Sequence, residues 1–438
     1  MSRRAPARRT SFLPVPTLTG AIPLRVPTPE RWSLPNGLRV ISAQWTTLPQ
    51  VGVRLLCPAG SAGDPSGLEG TASFVGSMLT EGTLSLSAEE LNARLDQLGA
   101  SLGVQVGHDF AEVDLFILAE TLSEAMGLLA EVVREPSFPA AETERVRAET
   151  LDALDARDDE PANVADDALA DALWGPDHPY GIPTMGTAAG VDAVTCQALA
   201  DFHSSHYRPD GAVLLVAGDF DPAELRAVIA DSFGDWTGAA ARPTYPPEPA
   251  AKPADTLAVG WPDAAQGEIR FGGLGMPRSS PDWIAAALAN YLIGGSTITG
   301  RLGANLREEK GWTYGIRSGF SAALQSGGWV IETAVDAEVI EGAVSEILKE
   351  LQRLVDEPVA DDELRRAKDA LILSLPRAFE TPGRIIGRFG ALEAFGLPAD
   401  YWERFPAAVE AVTAEEVQRV ARRYFDPEAL TRVVVGPE

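Results

Sequence analysis

The sequence predicts an α+β protein made of two homologous domains, in each of which helices pack on a mixed sheet to form an α/β sandwich. The first observation is length, since 438 residues are too many for one ordinary hydrophobic core. The second is an internal repeat that spans a helix, a turn and a strand in both copies. The third is a stretch rich in proline and alanine between the copies, which is typical of a linker.

The repeat is clearest in two segments, AVTCQALADFHSSHYRPDGAVLLVAGD and AVTAEEVQRVARRYFDPEALTRVVVGP. Each predicts an amphipathic helix, a turn that contains proline, and a buried strand. Matching threonine, proline and glycine residues lie 218 positions apart in these segments. A second pair of segments, which begin at Pro139 and Pro358, matches at a spacing of 219. The chain therefore contains one structural unit twice.

The same pattern predicts the domain boundaries and the elements of the first domain. We predict a disordered N-terminal extension over 1–24, an N-terminal domain over 25–236, a linker over 237–255 and a C-terminal domain over 256–438. In the first domain we predict, in chain order, the strands LRVIS and VGVRLLC, helices over 68–80 and 87–98, the strands SLGVQV and AEVDLFIL, and helices over 121–134 and 139–156. Thr413 with Glu416, like Ser87 with Glu90, matches the capping box that begins a helix.

Composition excludes some classes of partner. The chain has 36 basic and 63 acidic side chains and a formal net charge of −27, which repels phosphate backbones and anionic lipid. We therefore expect neither nucleic acid nor membrane as a partner. Two cysteines, Cys57 and Cys196, lie far apart in a chain that needs no disulfide, and the N-terminus lacks the apolar run of a signal peptide. These features favour a cytoplasmic protein.

Several motifs resemble one family of metallopeptidases. GTASFVGSMLTEGT, residues 70–83, followed by SAEELNARLDQLGA, is similar to the zinc-binding helix of the pitrilysin, insulinase and mitochondrial processing peptidase superfamily. Four other segments resemble the same family: LPNGLRV, ALWGPDHPYGIPTMGT, FHSSHYRPD and REEKGWTY. The resemblance runs from about Leu34 to the C-terminus. It implies a two-domain chain that forms half of a clamshell.

The zinc motif itself is degenerate. The resemblance implies that active members carry HxxEH on this helix, with two histidines that bind zinc and a glutamate that activates the metal-bound water. Here Ser73, Gly76 and Ser77 stand at those three positions, and Glu149 stands where the family has its third ligand. One carboxylate without imidazoles does not hold zinc at useful affinity, so we predict vestigial positions and no bound metal. Glu149 is better explained as part of a solvated helix surface beside Arg145.

The histidines offer little in replacement. The chain has four of them, and only His203 and His206 have a spacing that suits zinc on a helix. The second copy of the repeat has no histidine at these positions. We therefore interpret His203 and His206 as side chains that interact with the dipole at the C-terminus of their helix. We predict that His108 lies on a strand and His178 in a loop, both with structural roles.

The segment RLGANLREEKGWTY, residues 301–314, places Arg307 seven residues before Tyr314. The resemblance implies that Arg307 hydrogen-bonds substrate carbonyls and that Tyr314 donates its hydroxyl to the oxyanion formed on attack by water. Without the resemblance, the simpler interpretation is that Arg307 pairs with a neighbouring glutamate and Tyr314 packs against the protein. The family's peptide-binding edge strand corresponds to SLGVQV, with its residues Gly103, Val104, Gln105 and Val106.

A lost zinc motif beside a retained arginine and tyrosine resembles one subunit of the two-chain members of this family. The implied function is that of the non-catalytic, substrate-binding subunit of a heterodimeric zinc metallopeptidase. The implied partner is a homologous subunit that carries HxxEH and the zinc ion, or a second copy of this chain, and the implied ligands are peptides. An inactive homodimeric scaffold or peptide-binding protein is the alternative. An active peptidase with an unusual metal site is a third possibility.

Overall fold

The computed structural model of the protein describes residues 24–249, 254–262 and 264–437. The predicted N-terminal extension, 1–24, lies outside the described residues except for Leu24. The described part of the predicted linker, residues 237–249 and 254–255, contains no helix or extended strand. Among the described residues, no helix is both long enough and apolar enough to cross a membrane.

The N-terminal half folds around a sheet of six strands: β1 (Glu30–Ser33), β2 (Arg39–Gln44), β3 (Gln50–Cys57), β4 (Ser101–Val106), β5 (Ala111–Leu118) and β6 (Val213–Gly218). Their order across the sheet is β1-β2-β6-β3-β5-β4. β2 and β6 are parallel and all other neighbours are antiparallel, so the sheet is mixed as predicted. β4 is an edge strand.

The helices of this half pack on the sheet and on each other: α1 (Thr71–Met78), α2 (Ala88–Leu98), α3 (Leu122–Arg134), α4 (Ala140–Asp158), α5 (Pro161–Trp174), α6 (Ala188–Ala193), α7 (Cys196–His206) and α8 (Pro222–Phe233). The predicted capping box of Ser87 and Glu90 is present at the start of α2. α1 begins three residues later than predicted, because Gly70 adopts φ of 105° and precedes the helix as its N-cap. Phe74, Val75 and Met78 of α1 are buried in the core.

The C-terminal half repeats this topology. Its strands are β7 (Thr256–Gly260), β8 (Gln266–Leu274), β9 (Ile316–Phe320), β10 (Gly328–Asp336) and β11 (Thr431–Gly436). Their order, β7-β11-β8-β10-β9, matches β2-β6-β3-β5-β4 strand for strand, so the predicted repeat and the α+β class are confirmed. Its helices are α9 (Trp283–Ile293), α10 (Ile340–Asp356), α11 (Asp361–Leu373), α12 (Pro382–Ala394), α13 (Tyr401–Ala411) and α14 (Ala414–Tyr424), with a π-helix over Gly303–Glu309.

Each half contributes one helix to the sheet of the other, which the sequence did not predict. α5 of the N-terminal half lies on β8 and β11, and α12 of the C-terminal half lies on β3 and β6. Glycine allows the close approach of α5, since a Cβ atom at Gly272 would lie 2.7 Å from a methyl group of Leu169. Arg270, on β8, bonds Asp166 on α5 at 2.6 Å. This exchange of helices holds the two halves together.

Candidate functional site

The former zinc positions on α1 are bonded within the fold. Ser73 Oγ donates to the Thr184 carbonyl at 2.5 Å, and Ser77 Oγ donates to the Ser73 carbonyl at 3.2 Å. Gly76 is buried, and a Cβ atom there would lie only 2.7 Å from Cγ2 of Val106. α1 therefore packs directly on β4, and the position that the resemblance assigns to the catalytic glutamate has no room for a side chain unless Val106 shifts.

The start of α1 is fixed by a half-buried carboxylate. Asp64 accepts the backbone N–H groups of Gly70 and Ala72, each at 2.7 Å. Burial raises the pKa of Asp64 to about 7, although both hydrogen bonds oppose this change. Both carboxylate oxygens of Asp64 are thus occupied in capping the helix on which the zinc motif would lie.

Glu149 is held by its own helix. Arg145 Nη1 donates to both of its carboxylate oxygens, at 2.8 and 2.9 Å. The side chain of Glu149 is 62% exposed, and Arg145 also bonds Glu142 and Glu81. The interpretation of Glu149 as part of a solvated, ion-paired helix surface is confirmed.

The described residues contain no cluster of three or more histidine, cysteine, aspartate or glutamate side chains that could hold a metal ion. The ring nitrogens of His203 and His206 donate to two different carbonyls, those of Val133 and Phe202, so the pair does not converge. Burial lowers the pKa of His203 to about 4. His108 lies in the turn between β4 and β5, not on a strand as predicted. The residues present at the former zinc site do not fit a zinc ion.

Arg307 and Tyr314 differ from these positions because they project outward. Tyr314 is 93% exposed and makes no hydrogen bond within the described part of the chain, so the interpretation that it packs is wrong. Arg307 is 38% exposed, and its only ion pair among the described residues is a distant one of 3.6 Å with Glu308. Both side chains are open to a ligand or a second protein.

The backbone under this pair is an uncommon one. Arg307 lies in the π-helix Gly303–Glu309. This conformation is rare in proteins, and where it occurs it often lies at a functional site. Gly303 is required there, because a Cβ atom would overlap the Thr297 carbonyl oxygen. The π-helix then leads through Trp312, which is half-buried, to Tyr314.

Polar side chains that the sequence did not single out anchor this segment. Asn305 Nδ2 donates to Glu346 at 2.8 Å and to Glu350 at 2.9 Å, both on α10. The hydrogen bond from Asn305 contributes most to lowering the pKa of Glu346, to about 2. Arg301 makes two bonds of 2.8 Å to Glu363 on α11. The buried Asn305 gave no sequence signal, since its partners lie 41 and 45 residues away along the chain.

Tyr314 stands at a cavity of about 480 Å³ between the two halves. Asp166 of α5 lines one side, and Glu268, Arg317 and Glu332 of the C-terminal sheet line another. The cavity lies beside Tyr314 and not beneath it, because the ring itself is almost fully exposed. The site is therefore an open one.

The predicted peptide-binding residues, Gly103 to Val106, lie on β4 at the edge of the N-terminal sheet, where β4 pairs with β5 alone. Gly103 and Gln105 are exposed, and Val104 and Val106 are half-buried against α1. The position suits main-chain pairing with an added strand. Binding of a peptide there stays a prediction.

The fold is of a peptidase type: two mixed sheets follow each other along the chain, and a helix lies at the edge strand of the first. The second sheet belongs to the domain that carries the arginine and the tyrosine. Residues 39–188 match the model of the insulinase family, peptidase family M16, and residues 193–371 match that of the peptidase M16 inactive domain. The chain belongs to this superfamily, in its zinc-less form.

Relatives and solved structures agree with the assignment to the superfamily. An uncharacterized zinc protease of Mycobacterium tuberculosis is 27% identical over 93% of each chain, and an uncharacterized zinc protease of Bacillus subtilis is 22% identical over 90% of this chain and 95% of its own. The crystal structure of a peptidase M16 inactive domain from Pseudomonas fluorescens has 27% identity and a TM-score of 0.87, over 94% of this chain and 98% of that one. A protease from Helicobacter pylori, 20% identical, shares the fold with a TM-score of 0.88, over 94% of this chain and 100% of that one.

Proposed function

We propose that this chain is the non-catalytic, substrate-binding subunit of a heterodimeric zinc metallopeptidase that cleaves peptides in an enclosed chamber. A homologous subunit with an intact HxxEH motif binds the zinc ion in that assembly. This chain forms the other half of the clamshell, binds no cofactor and is inactive alone. The proposed setting is the cytoplasm, where Cys57 and Cys196, which are not bonded to each other, stay reduced.

The observation that carries the proposal is the exposure of Tyr314 on a chain whose described residues contain no cluster of side chains able to hold a metal ion. A tyrosine ring that is 93% exposed adds almost nothing to the core, so the stability of this chain does not explain it. Arg307 and Tyr314 are the side chains that the superfamily resemblance assigns to the substrate. Their openness is the arrangement that a site shared with a second chain requires.

The chemistry of the pair is binding and charge stabilisation. The guanidinium of Arg307 presents several N–H donors in a fixed plane, which suits the carbonyl oxygens of an extended peptide. The hydroxyl of Tyr314 donates a hydrogen bond to the oxygen that becomes negative when the peptide carbonyl is attacked. In a chamber that excludes water, such a donor is stronger than on an exposed surface. The zinc of the partner supplies the activated water.

The test is a peptidase assay on a mixed peptide library with the purified chain, with an HxxEH-bearing relative from the same organism, and with both together. Zinc content is measured for each chain. We expect cleavage only in the mixture, with zinc in the relative and none in this chain. Cleavage by this chain alone with stoichiometric zinc would overturn the proposal. Peptide binding without cleavage in any mixture would instead indicate the homodimeric scaffold or peptide-binding protein.

A further inference from the structure

A second cavity lies between the two domains, and neither Arg307 nor Tyr314 lines it. It has a volume of about 710 Å³, within the range of ligand sites. Its walls come from the β4–β5 hairpin, α5, the loop between β9 and β10, and β10 itself. We call this cavity the interdomain cleft.

Part of the lining of the interdomain cleft is apolar. Leu169, Leu173 and Trp174 of α5 line it together with Val330 of β10 and Phe395, which follows α12. These side chains come from both halves, so the apolar surface exists only where the domains meet. A cavity of this size and lining accepts a large aliphatic or aromatic side chain.

Another part of the lining of the interdomain cleft is acidic. Asp109, Glu112, Asp166 and Glu332 line it, and the described lining includes no lysine or arginine. His108 also lines it, but burial lowers the pKa of this imidazole, which keeps it neutral at pH 7. The described lining therefore offers hydrogen-bond acceptors and negative charge, and no cation.

Arg317 pairs one-to-one with Glu332 at 3.1 Å, whereas two other arginines near these carboxylates are each shared by two of them. Arg54 bonds both Glu112 and Asp114, so one guanidinium is shared by two carboxylates. Arg270 is shared in the same way by Asp166 and Glu268. Each group keeps one negative charge in excess, because a single cation neutralises only one carboxylate.

Asp109 adds a third excess charge and fixes the shape of the interdomain cleft. The hydroxyls of Tyr180 and Tyr245 both donate to its Oδ1 at 2.6 Å, and the Leu324 backbone N–H donates to its Oδ2 at 2.9 Å. Tyr245 belongs to the linker, and Leu324 belongs to the β9–β10 loop of the other domain. The carboxylate therefore ties three segments together, and the cleft is preformed.

The interdomain cleft connects the two regions that the sequence singled out. Asp166 and Glu332 line both the cleft and the cavity beside Tyr314, so they form a common wall. Gln105 and Val106, at the end of β4, also line the cleft. A peptide that pairs with β4 and continues past Val106 would thus enter the cleft. A peptide that leaves the cleft past the common wall would reach Tyr314.

We propose that the interdomain cleft is a binding site for a peptide segment in which a large apolar side chain is next to a basic one. The apolar side chain packs beside Trp174, and the basic side chain lies along Asp166, where it offsets the excess negative charge of Asp166 and Glu268. It also reaches Glu332, whose ion pair with Arg317 is exposed and therefore weak. This inference rests on the proposed function only in taking the ligand to be a peptide. The site belongs to this chain alone and needs no partner subunit.

The test measures binding of fluorescein-labelled hexapeptides to the isolated full chain by anisotropy, with Ala-Ala-Phe-Arg-Ala-Ala against the same peptide with Glu or Gln in place of Arg. We expect the Arg peptide to bind at least tenfold more tightly than the Glu peptide, and the difference to shrink as salt is raised. Ala322→Trp, at an exposed lining position, fills the cleft and should abolish binding of the Arg peptide. Glu332→Gln should weaken the Arg peptide selectively.

Matched controls are Ala227→Trp on α8 and Glu341→Gln on α10, both exposed and outside the cleft lining, and both should bind as the unchanged chain does. Equal affinity for the Arg and Glu peptides, or unchanged affinity in Ala322→Trp, would overturn the proposal. These results are separable from the proposed function. If the cleft variants bind peptide normally while the two-chain mixture still cleaves, the cleft proposal fails and the proposed function stands. If those variants lose binding while no mixture cleaves, the cleft proposal is supported and the proposed function is not.

Discussion

The lost zinc positions on α1 and the segment of Arg307 and Tyr314 stand in opposite relations to the rest of the chain. On α1, Ser73 is bonded to another segment, and Gly76 is packed against β4 with no space for a side chain. In the second domain, Tyr314 is 93% exposed and Arg307 has only a weak contact with its neighbour. The first region has become part of the fold, and the second has stayed available to something outside it.

This difference teaches which residues still have a function beyond folding. A π-helix and an exposed tyrosine ring are both features that the stability of a chain does not favour, and they occur side by side in residues 303–314. The former zinc helix has no such feature, since Asp64 caps it and its apolar residues are buried. Substitutions in the two regions should therefore change different measurable quantities.

The largest expected effect is on turnover. Arg307→Ala or Tyr314→Phe should lower the turnover of the two-chain mixture by roughly 100-fold, the usual cost of losing an oxyanion donor. The free energy of unfolding should change by less than about 0.5 kcal/mol in Tyr314→Phe, because that ring is 93% exposed. It should change somewhat more in Arg307→Ala, because the Arg307 side chain is only 38% exposed. Steady-state kinetics and denaturant unfolding measure the two quantities.

Tyr291→Phe is the matched control, since it removes a hydroxyl from the same domain at a residue that does not line the cavity beside Tyr314. Its turnover should equal that of the unchanged mixture. Full turnover in Arg307→Ala and Tyr314→Phe would show that the open pair has no part in the reaction, and the comparison between the two regions would then lose its functional meaning.

A smaller effect is expected for the anchor of the π-helix. Asn305→Ala removes the two bonds to Glu346 and Glu350 and should lower turnover about tenfold, as the loss of a positioning contact of about 1.4 kcal/mol would do. Asn305→Asp should lower it further, because it adds a carboxylate to an acidic cluster. The effect should fall on kcat more than on KM, and Asn92→Ala on α2 is the control. A loss of stability with normal kcat would make Asn305 merely structural.

Gly76 gives the sharpest test of packing at α1. Gly76→Ala should lower the free energy of unfolding by about 1 kcal/mol or more, because overpacking against Val106 costs more than the gain in helix propensity returns. Gly127→Ala on α3 should stabilise the chain instead, since an added Cβ atom there meets nothing within 4 Å. If denaturant unfolding shows a lower free energy of unfolding for Gly76→Ala and a higher one for Gly127→Ala, the close packing is confirmed. Equal signs would show that α1 can move away from β4.

The same contact predicts what restoring the zinc motif needs. Ser73→His, Gly76→Glu and Ser77→His together should not bind stoichiometric zinc, since the glutamate overlaps Val106. Adding Val106→Ala should allow binding, with Glu149 as the third ligand once Arg145 releases it. Metal analysis of both variants decides the point, and zinc in the first variant would contradict the packing argument.

Much of the fold could be predicted from the sequence because it is local or repeated. The capping boxes, the strands of the β4–β5 hairpin and the 218-residue spacing all follow from patterns within short segments. The exchange of α5 and α12 could not be predicted, because nothing in an amphipathic helix tells which sheet it will cover. For the same reason the interdomain cleft had no signal in the sequence.

The candidate site shows a similar division. The absence of zinc ligands at Ser73, Gly76 and Ser77 was visible in the sequence, and so was the ion pair of Glu149 with Arg145, which lies one helical turn away. The exposure of Tyr314 and the role of Asn305 depend on tertiary packing between distant segments. The strand expectation for His108 was wrong although the predicted strands SLGVQV and AEVDLFIL leave 107–110 between them, and the Gly-His-Asp sequence there is itself typical of a turn.

The smallest effect separates the two serines of the former motif. Ser73→Ala should lower the free energy of unfolding by about 1 kcal/mol, because it leaves the Thr184 carbonyl without the hydroxyl that joins α1 to another segment. Ser77→Ala should be neutral or slightly stabilising, since its exposed hydroxyl bonds only its own helix at Ser73 and alanine is the better helix former. Thermal and denaturant unfolding of the two variants measure this. If both substitutions cost the same, Ser73 is not a tertiary contact, and the view of α1 as a helix converted from binding metal to supporting the fold would rest on Gly76 alone.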